Sequence, residues 1–185
     1  MPQAFALQFD PSQLRALAAR FPGGDDSEAE RLGALARARG FLLREELERF
    51  VEWKSGGRQR RNAARNSAES VEEVTGVALS VRDERLRIGA LLCLEGVSWP
   101  TASVILHFAH RDPYPILDYR AIESLGVTRG VYTFPFWLGY LETCRRLAHE
   151  NGLTMRELDR ALWQWSKERA IGGDPAAPGR RPRGG

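Results

Sequence analysis

The sequence predicts an all-α fold, a compact bundle of many helices, and three observations lead to this class. Apolar residues recur at every third or fourth position along most of the 185-residue chain, which is the periodicity of amphipathic helices. Residues typical of helix N-caps precede many of these stretches. No long segment alternates between apolar and polar side chains in the way a half-buried strand does.

The helices are predicted from these signals in chain order. Asp10 followed by Pro11 predicts the N-cap and first residue of the first helix. Four further pairs predict capping boxes, beginning at Ser27, Ser70, Ser80 and Thr154. The predicted helices span 11–20, 28–39, 43–54, 70–79, 81–95, 100–110, 119–126, 134–151 and 155–170.

These helices predict a single domain over residues 1–171, because no linker divides them. Residues 172–185 consist mainly of Gly, Pro, Ala and Arg. Such a composition offers almost nothing to bury, so we predict a disordered tail there.

Composition excludes several classes of protein. Apolar runs are far shorter than the roughly 20 residues that span a bilayer, and the N-terminus lacks the pattern of a secretory signal, so we expect a cytoplasmic protein that does not bind membranes. Cys93 and Cys144 stand in apolar helical contexts and predict reduced, buried thiols. Because a thiolate metal centre needs about four ligands, neither a metal nor a cofactor is expected. The net charge of +3 is too small to indicate a partner by itself.

The segment 91–106 carries the most specific pattern in the chain. It reads Leu-Leu-Cys-Leu-Glu-Gly-Val-Ser-Trp-Pro-Thr-Ala-Ser-Val-Ile-Leu. Gly96 predicts a tight turn after one helix, and Pro100 predicts the first residue of the next. The amide groups of such a turn and of the following helix N-terminus favour a phosphate. An ordinary helical hairpin would carry the same two residues and is the structural alternative.

Asp118 follows a short apolar run, Tyr114-Pro-Ile-Leu, and precedes the predicted helix 119–126. A fixed carboxylate can stabilise positive charge that develops on a sugar and can orient or deprotonate a water. Asp is also a preferred N-cap, and one residue can serve both purposes.

Taken together, the hairpin and the acid resemble those of the helix-hairpin-helix DNA glycosylases. The resemblance covers residues 43–170, with the specific motifs in 91–121. It implies a fold of that type, contact with double-stranded DNA, and Asp118 as the catalytic carboxylate. The hairpin residues implied to bind DNA are Gly96, Val97, Ser98, Trp99 and Thr101.

Two positions depart from the family pattern. Ser98 stands where the family usually has a second glycine, and serine tolerates positive φ poorly. Pro100 stands where bifunctional members carry a lysine that attacks C1′ as an amine. The resemblance therefore implies a monofunctional enzyme that uses water.

A basic loop follows the helix that ends near Trp53. Five residues of this loop are predicted to contact DNA, namely Lys54, Arg58, Gln59, Arg60 and Arg61. Positive charge beside Gly56-Gly57 suits a phosphate backbone. Gln59 or Arg58 is the candidate to fill the gap left by a flipped base, by its order along the chain. The alternative is a solvated basic turn.

A flipped base needs a slot with flat apolar walls. The predicted walls are Trp53, Tyr119, Tyr132 and Trp137. Each of them could instead belong to the core, as aromatic residues at helical spacing usually do. Lys54 is a candidate to read a base edge or, more weakly, to act as a nucleophile.

The sequence thus predicts a monomeric DNA N-glycosylase that hydrolyses the bond between a damaged or modified base and its sugar. An inactive DNA-binding module with the same hairpin is one alternative. A helical protein-interaction domain is the other.

Overall fold

The computed structural model describes residues 4–128 and 131–171. The predicted tail 172–185 lies outside the described residues. Over the described part the chain is an all-α bundle without strands. A 3-10 turn, Pro11–Gln13, precedes ten helices, which are α1 Leu14–Arg20, α2 Ser27–Arg39, α3 Arg44–Ser55, α4 Arg60–Ala63, α5 Ala68–Ser80, α6 Glu84–Leu92, α7 Trp99–Ala109, α8 Tyr119–Ser124, α9 Phe134–Glu150 and α10 Met155–Ile171.

Each predicted helix is present, and the observed helix ends lie within three residues of the predicted ends. The first is divided, because Pro11 begins a 3-10 turn and α-helical geometry begins only at Leu14. The short helix α4 was not predicted, since four residues are too few to show a period.

Two of the predicted N-terminal caps are confirmed. The Asp10 carboxylate accepts from the Ser12 amide at 2.8 Å. Thr154 and Glu157 form a reciprocal capping box.

The predicted boxes at Ser27, Ser70 and Ser80 are wrong. Ser27 is already the first residue of α2. For the other two, a residue three positions away caps the helix: Ser67 accepts from the Ser70 amide in α5, and Asp83 accepts from the Leu86 amide in α6.

Helix α7 lies at the centre of the bundle and packs against α2, α3 and α6. Val104, Ile105 and Leu106 are all fully buried, so this helix is apolar on nearly every side. The α2–α7 contact depends on Gly33. A Cβ there would overlap the Phe108 carbonyl oxygen and lie 2.6 Å from its carbonyl carbon.

The two cysteines occupy different environments. Cys144 is buried, as predicted, and burial raises the pKa of its thiol. Cys93 is exposed, so the prediction of a buried thiol is wrong there. Cys93 is the C-cap of α6, where the chain leaves the core for the turn. The described residues contain no group of three potential metal-binding side chains, and no described helix has the length and apolar character to cross a membrane.

Candidate active site

The turn between α6 and α7 requires glycine at one position. Gly96 has φ +80°, and a Cβ there would lie 2.7 Å from the Ala63 amide nitrogen and 3.0 Å from the Gln59 carbonyl oxygen. The turn therefore rests directly on the backbone of α4. Ser98 has φ −102° and an extended backbone, so serine in place of a second glycine causes no strain.

The hairpin buries one face and exposes the start of α7. Its apolar residues Leu91, Ala102, Ile105 and Leu106 are buried, whereas Val97 is only half-buried. Ser98 is the N-cap of α7, yet its side chain caps no amide. The Ser98 side chain therefore leaves the first amides of this eleven-residue helix uncapped.

One predicted DNA-binding residue of the hairpin needs correction. The Thr101 side chain is buried, with 2% of the residue exposed, and its hydroxyl lies 3.3 Å from that of Ser98. It faces inward because it stands on the apolar side of α7. The residue is thus enclosed as a whole, and its hydroxyl is not available for a phosphate contact.

Asn66, which the sequence analysis did not select, joins the basic segment to the hairpin. Its side-chain amide donates to the Glu95 carbonyl at 3.0 Å and accepts from the Glu95 amide at 2.9 Å. It also donates to the Ala63 carbonyl at the end of α4. These hydrogen bonds of Asn66 and the contact of Gly96 with α4 join α4 and the hairpin into one continuous surface.

The residues of the basic loop that are predicted to contact DNA differ in whether another side chain pairs with them. Arg60 forms ion pairs with Glu48 at 3.4 Å and Glu52 at 3.5 Å. Gln59 accepts from the Asn62 side chain. Arg58 and Arg61 are exposed, and neither guanidinium has an ion-pair partner among the described residues. These two carry the uncompensated charge beside the hairpin.

Side chains from two helices hold the extended segment 113–117 in place. Ser103 of α7 donates to the Pro100 carbonyl at 2.7 Å and accepts from the Leu117 amide at 2.8 Å. Tyr140 of α9 donates to the Ile116 carbonyl at 2.8 Å. The segment thus lies along the first turns of α7, and the residue that follows it, Asp118, is positioned beside the hairpin.

Asp118 is both a helix cap and a member of an ion pair. Its Oδ1 accepts from the Arg120 amide at 3.0 Å, so it is the N-cap of α8. Its Oδ2 lies 3.1 Å from Nζ of Lys54, a residue of α3 that is 64 positions earlier. The two side chains are 23% and 14% exposed. The pair is therefore partly open to solvent while most of its surface is enclosed.

A buried network of charges lies behind this pair. Arg156 of α10 pairs with Asp159 at 2.5 Å and with Asp26 at 2.7 Å, and Arg160 also pairs with Asp26. Burial raises the pKa of Asp159 to about 6; the charges of Arg156 and Lys54 oppose this rise, and that of Asp118 adds to it. The charge of Lys54 thus interacts with two carboxyl groups, that of the partly exposed Asp118 and that of the buried Asp159.

His107 of α7 holds the start of the same segment, with Nδ1 2.6 Å from the Tyr114 carbonyl oxygen. As the carbonyl can only accept, the imidazole donates through Nδ1. Burial lowers the pKa of His107 to about 4. The ring is therefore neutral in the folded protein at neutral pH.

We expect His107→Gln to change how stability depends on acidity. The unfolded chain binds the His107 proton more strongly than the folded chain, so this residue costs stability as the pH falls from about 6.5 towards about 4. Between about pH 6.5 and about pH 5 the cost amounts to about 1.5 kcal/mol. Urea unfolding at both pH values should show the difference between variant and wild type moving by this amount in favour of the variant. The raised pKa of Asp159 has the opposite sign, but it is common to both proteins. An unchanged difference would contradict the assignment.

The four predicted base-pocket aromatics do not form one slot. Trp137 is fully buried and stacks on Tyr114 at 6.3 Å between ring centroids, so its assignment to an open pocket is wrong. It faces inward because α9 turns its apolar side to the core. Tyr132 packs edge-on against Phe136. Tyr119 adjoins Asp118 and lies under the Arg120 guanidinium.

Trp53 is the predicted pocket residue that does line a surface cavity. The cavity has a volume of about 270 Å³ and lies between α2 and α3. Phe50 forms part of its apolar wall, and Glu28 and Glu52 supply carboxylates. Trp53 also packs on Phe108 and lies 5.6 Å from the Arg156 guanidinium. It is thus close to the buried charges and directly precedes Lys54 in α3.

No protein-family model, curated protein or solved structure is detectably similar to this chain. What the site can do therefore follows from its own geometry and chemistry.

Proposed function

We propose that this protein is a monofunctional DNA glycosylase of the helix-hairpin-helix type, which hydrolyses the bond between a damaged or modified base and deoxyribose in duplex DNA. The observation that carries the proposal is the connection through Ser103. This hydroxyl joins the start of α7 to the residue before Asp118. It thereby supports a carboxylate held beside a phosphate-binding turn.

The hairpin and α4 together form the DNA-binding surface. The Ser98 side chain leaves the first amides of α7 uncapped, and the positive end of a helix dipole favours a phosphate there. Arg58 and Arg61 contact the backbone on the adjoining surface. Because Gly96 rests on α4, both contacts move as one unit.

Asp118 supplies the chemistry. As the bond between C1′ and the base breaks, its electron pair leaves with the base and positive charge develops on the sugar. The fixed carboxylate stabilises that charge and accepts a proton from the water whose oxygen bonds to C1′. Lys54 fixes the orientation of the carboxylate by its contact at 3.1 Å.

A second candidate function rests on the same contact. A lysine amine can attack C1′ itself, displace the base and form an imine, a route that leads on to strand cleavage. Pro100 removes the usual position for such a lysine, but Lys54 reaches Asp118 from α3 instead. This bifunctional route differs from the proposed one in leaving a reducible covalent adduct.

Reductive trapping distinguishes the two routes. We expect wild-type protein incubated with substrate or abasic duplex and borohydride to give no covalent protein–DNA product, because Lys54 is held as a counterion. We expect Lys54→Gln to slow base release about tenfold or more by loosening Asp118. A trapped product that is present in wild type and absent in Lys54→Gln and Lys54→Arg would establish the amine route.

The proposal itself is tested with a panel of duplexes that carry alkylated, oxidised, deaminated and hypermodified bases. Release of a free base from at least one of them is the expected result. Salt-dependent binding without release would identify a DNA-binding module. Absence of DNA affinity even at low salt would identify an interaction domain.

A further inference from the structure

A basic cleft lies where α5 and α7 end, with a volume of about 400 Å³. Its lining includes four guanidinium groups, one imidazole and a single carboxylate. These belong to Arg37, Arg82, Arg87, Arg111, His110 and Asp112. The volume falls within the range of sites for small molecules.

Two of the four arginines have a structural task. Arg37 donates to the carbonyl of Phe108 near the end of α7. Arg87, which is 5% exposed, donates to the carbonyls of Ala78 at 2.8 Å and of Val81 at the end of α5. These guanidinium groups offset the negative ends of the two helix dipoles.

The other two arginines of the cleft do not contact the helix ends in this way. Arg82 and Arg111 are exposed, and no hydrogen bond or ion pair of their side chains occurs among the described residues. The Nε of Arg87 is buried without a hydrogen-bond acceptor, and its neighbouring carboxylate oxygen, on Glu84, is 3.6 Å away.

The remaining titratable groups do not neutralise the cleft. Burial and the charge of Arg87 lower the pKa of His110, so the ring is neutral and its Nε2 accepts from Arg87. The Asp112 side chain is 66% exposed and lies 3.8 Å from the His110 ring. The cleft lining thus holds four guanidinium groups and one solvated carboxylate, and Glu84, outside the lining, forms an ion pair with Arg87.

We infer that this cleft binds the phosphate group of an anionic ligand. Guanidinium groups present paired N–H donors that match phosphate oxygens, and Arg82 and Arg111 have theirs free. A site of this volume accepts a ligand as large as a mononucleotide.

The cleft is separate from the proposed DNA surface and goes beyond the proposed function. Arg87 belongs to the first turns of α6, and His110 is the C-cap of α7. The turn at Gly96 joins the opposite ends of these two helices. A phosphate reaches the cleft as part of a free small molecule, or as part of a DNA backbone that wraps around the protein.

Binding measurements on paired variants test this inference. Calorimetric titration with inorganic phosphate, pyrophosphate and a 5′-mononucleotide is compared for wild type, Arg82→Gln/Arg111→Gln and Arg58→Gln/Arg61→Gln. Both double variants remove the same charge from exposed positions, and unchanged thermal unfolding without ligand shows that each is folded. We expect the first to weaken phosphate binding at least tenfold and the second to leave it unchanged.

Duplex DNA binding by the same proteins identifies the source of the phosphate. Affinity for DNA that depends on Arg58 and Arg61 but not on Arg82 and Arg111 assigns the cleft to a free ligand. Equal loss of DNA affinity in both double variants, together with the selective loss of phosphate binding, assigns it to the DNA backbone. Absence of phosphate binding in wild type, or equal weakening of it in both variants, would overturn the inference and leave the glycosylase proposal unaffected.

Discussion

Replacing Asp118 by asparagine should abolish base release while leaving DNA binding intact. Removing one group that stabilises charge in a transition state typically costs about 100-fold to 1000-fold in rate, and we expect a loss of at least about 100-fold here. Asparagine is also a good N-cap, so it can still accept from the Arg120 amide and keep α8 in place. Single-turnover release from a substrate duplex measures the effect.

The control for this variant is Asp112→Asn, which removes an exposed carboxylate at the other end of α7. We expect it to leave base release unchanged. Affinity for duplex DNA should be equal or slightly higher for Asp118→Asn, because a negative charge near the backbone is lost. A full rate of release in Asp118→Asn would remove Asp118 from the mechanism and reduce it to a cap.

Gly96→Ala should lower the stability of the fold strongly and should also weaken DNA binding. The positive φ of +80° costs alanine about 1 kcal/mol. The new Cβ would also press on the backbone of α4, 2.7 Å from the Ala63 amide nitrogen, which adds a packing cost of about 2 kcal/mol. We therefore expect urea unfolding to show a loss of about 3 kcal/mol, with a tenfold or greater loss of DNA affinity.

Gly40→Ala is the matched control that measures the energetic cost of a positive φ alone, without the packing cost. Gly40 has φ +95°, and a Cβ there would meet nothing within 4 Å. This variant should lose only about 1 kcal/mol and keep its DNA affinity. Equal losses for the two variants would mean that α4 does not support the hairpin turn.

Local pattern was sufficient to predict the architecture. Periodicity located the nine longer helices, and Asp10 and Thr154 showed where two of them begin. The pattern could not decide between neighbouring cap residues, as with Ser67 and Ser70, because both offer a hydroxyl and packing makes the choice. It also missed α4, which is too short to be periodic and rests against Gly96, while the neighbouring Asn66 bonds to Glu95; both partners are about 30 residues away in sequence.

The candidate site could be predicted only where its residues are near one another in sequence. Asp118 was found because the residues around it form a motif. Its partner Lys54 was selected for its charge alone, since a contact across 64 residues leaves no local signal. Asp159 was not selected, because a carboxylate on an amphipathic helix is usually solvated. Trp137 was wrongly assigned, because aromatic residues of cores and of pockets follow the same helical spacing.

The proposed function depends on catalysis of base release by Asp118. Chromatographic detection of the free base, with wild-type protein in excess over duplexes from the panel of modified bases, is the decisive measurement. We expect free base and an equal amount of abasic sites from at least one duplex, both absent with Asp118→Asn. Binding of these duplexes without release of any base by wild type would contradict it.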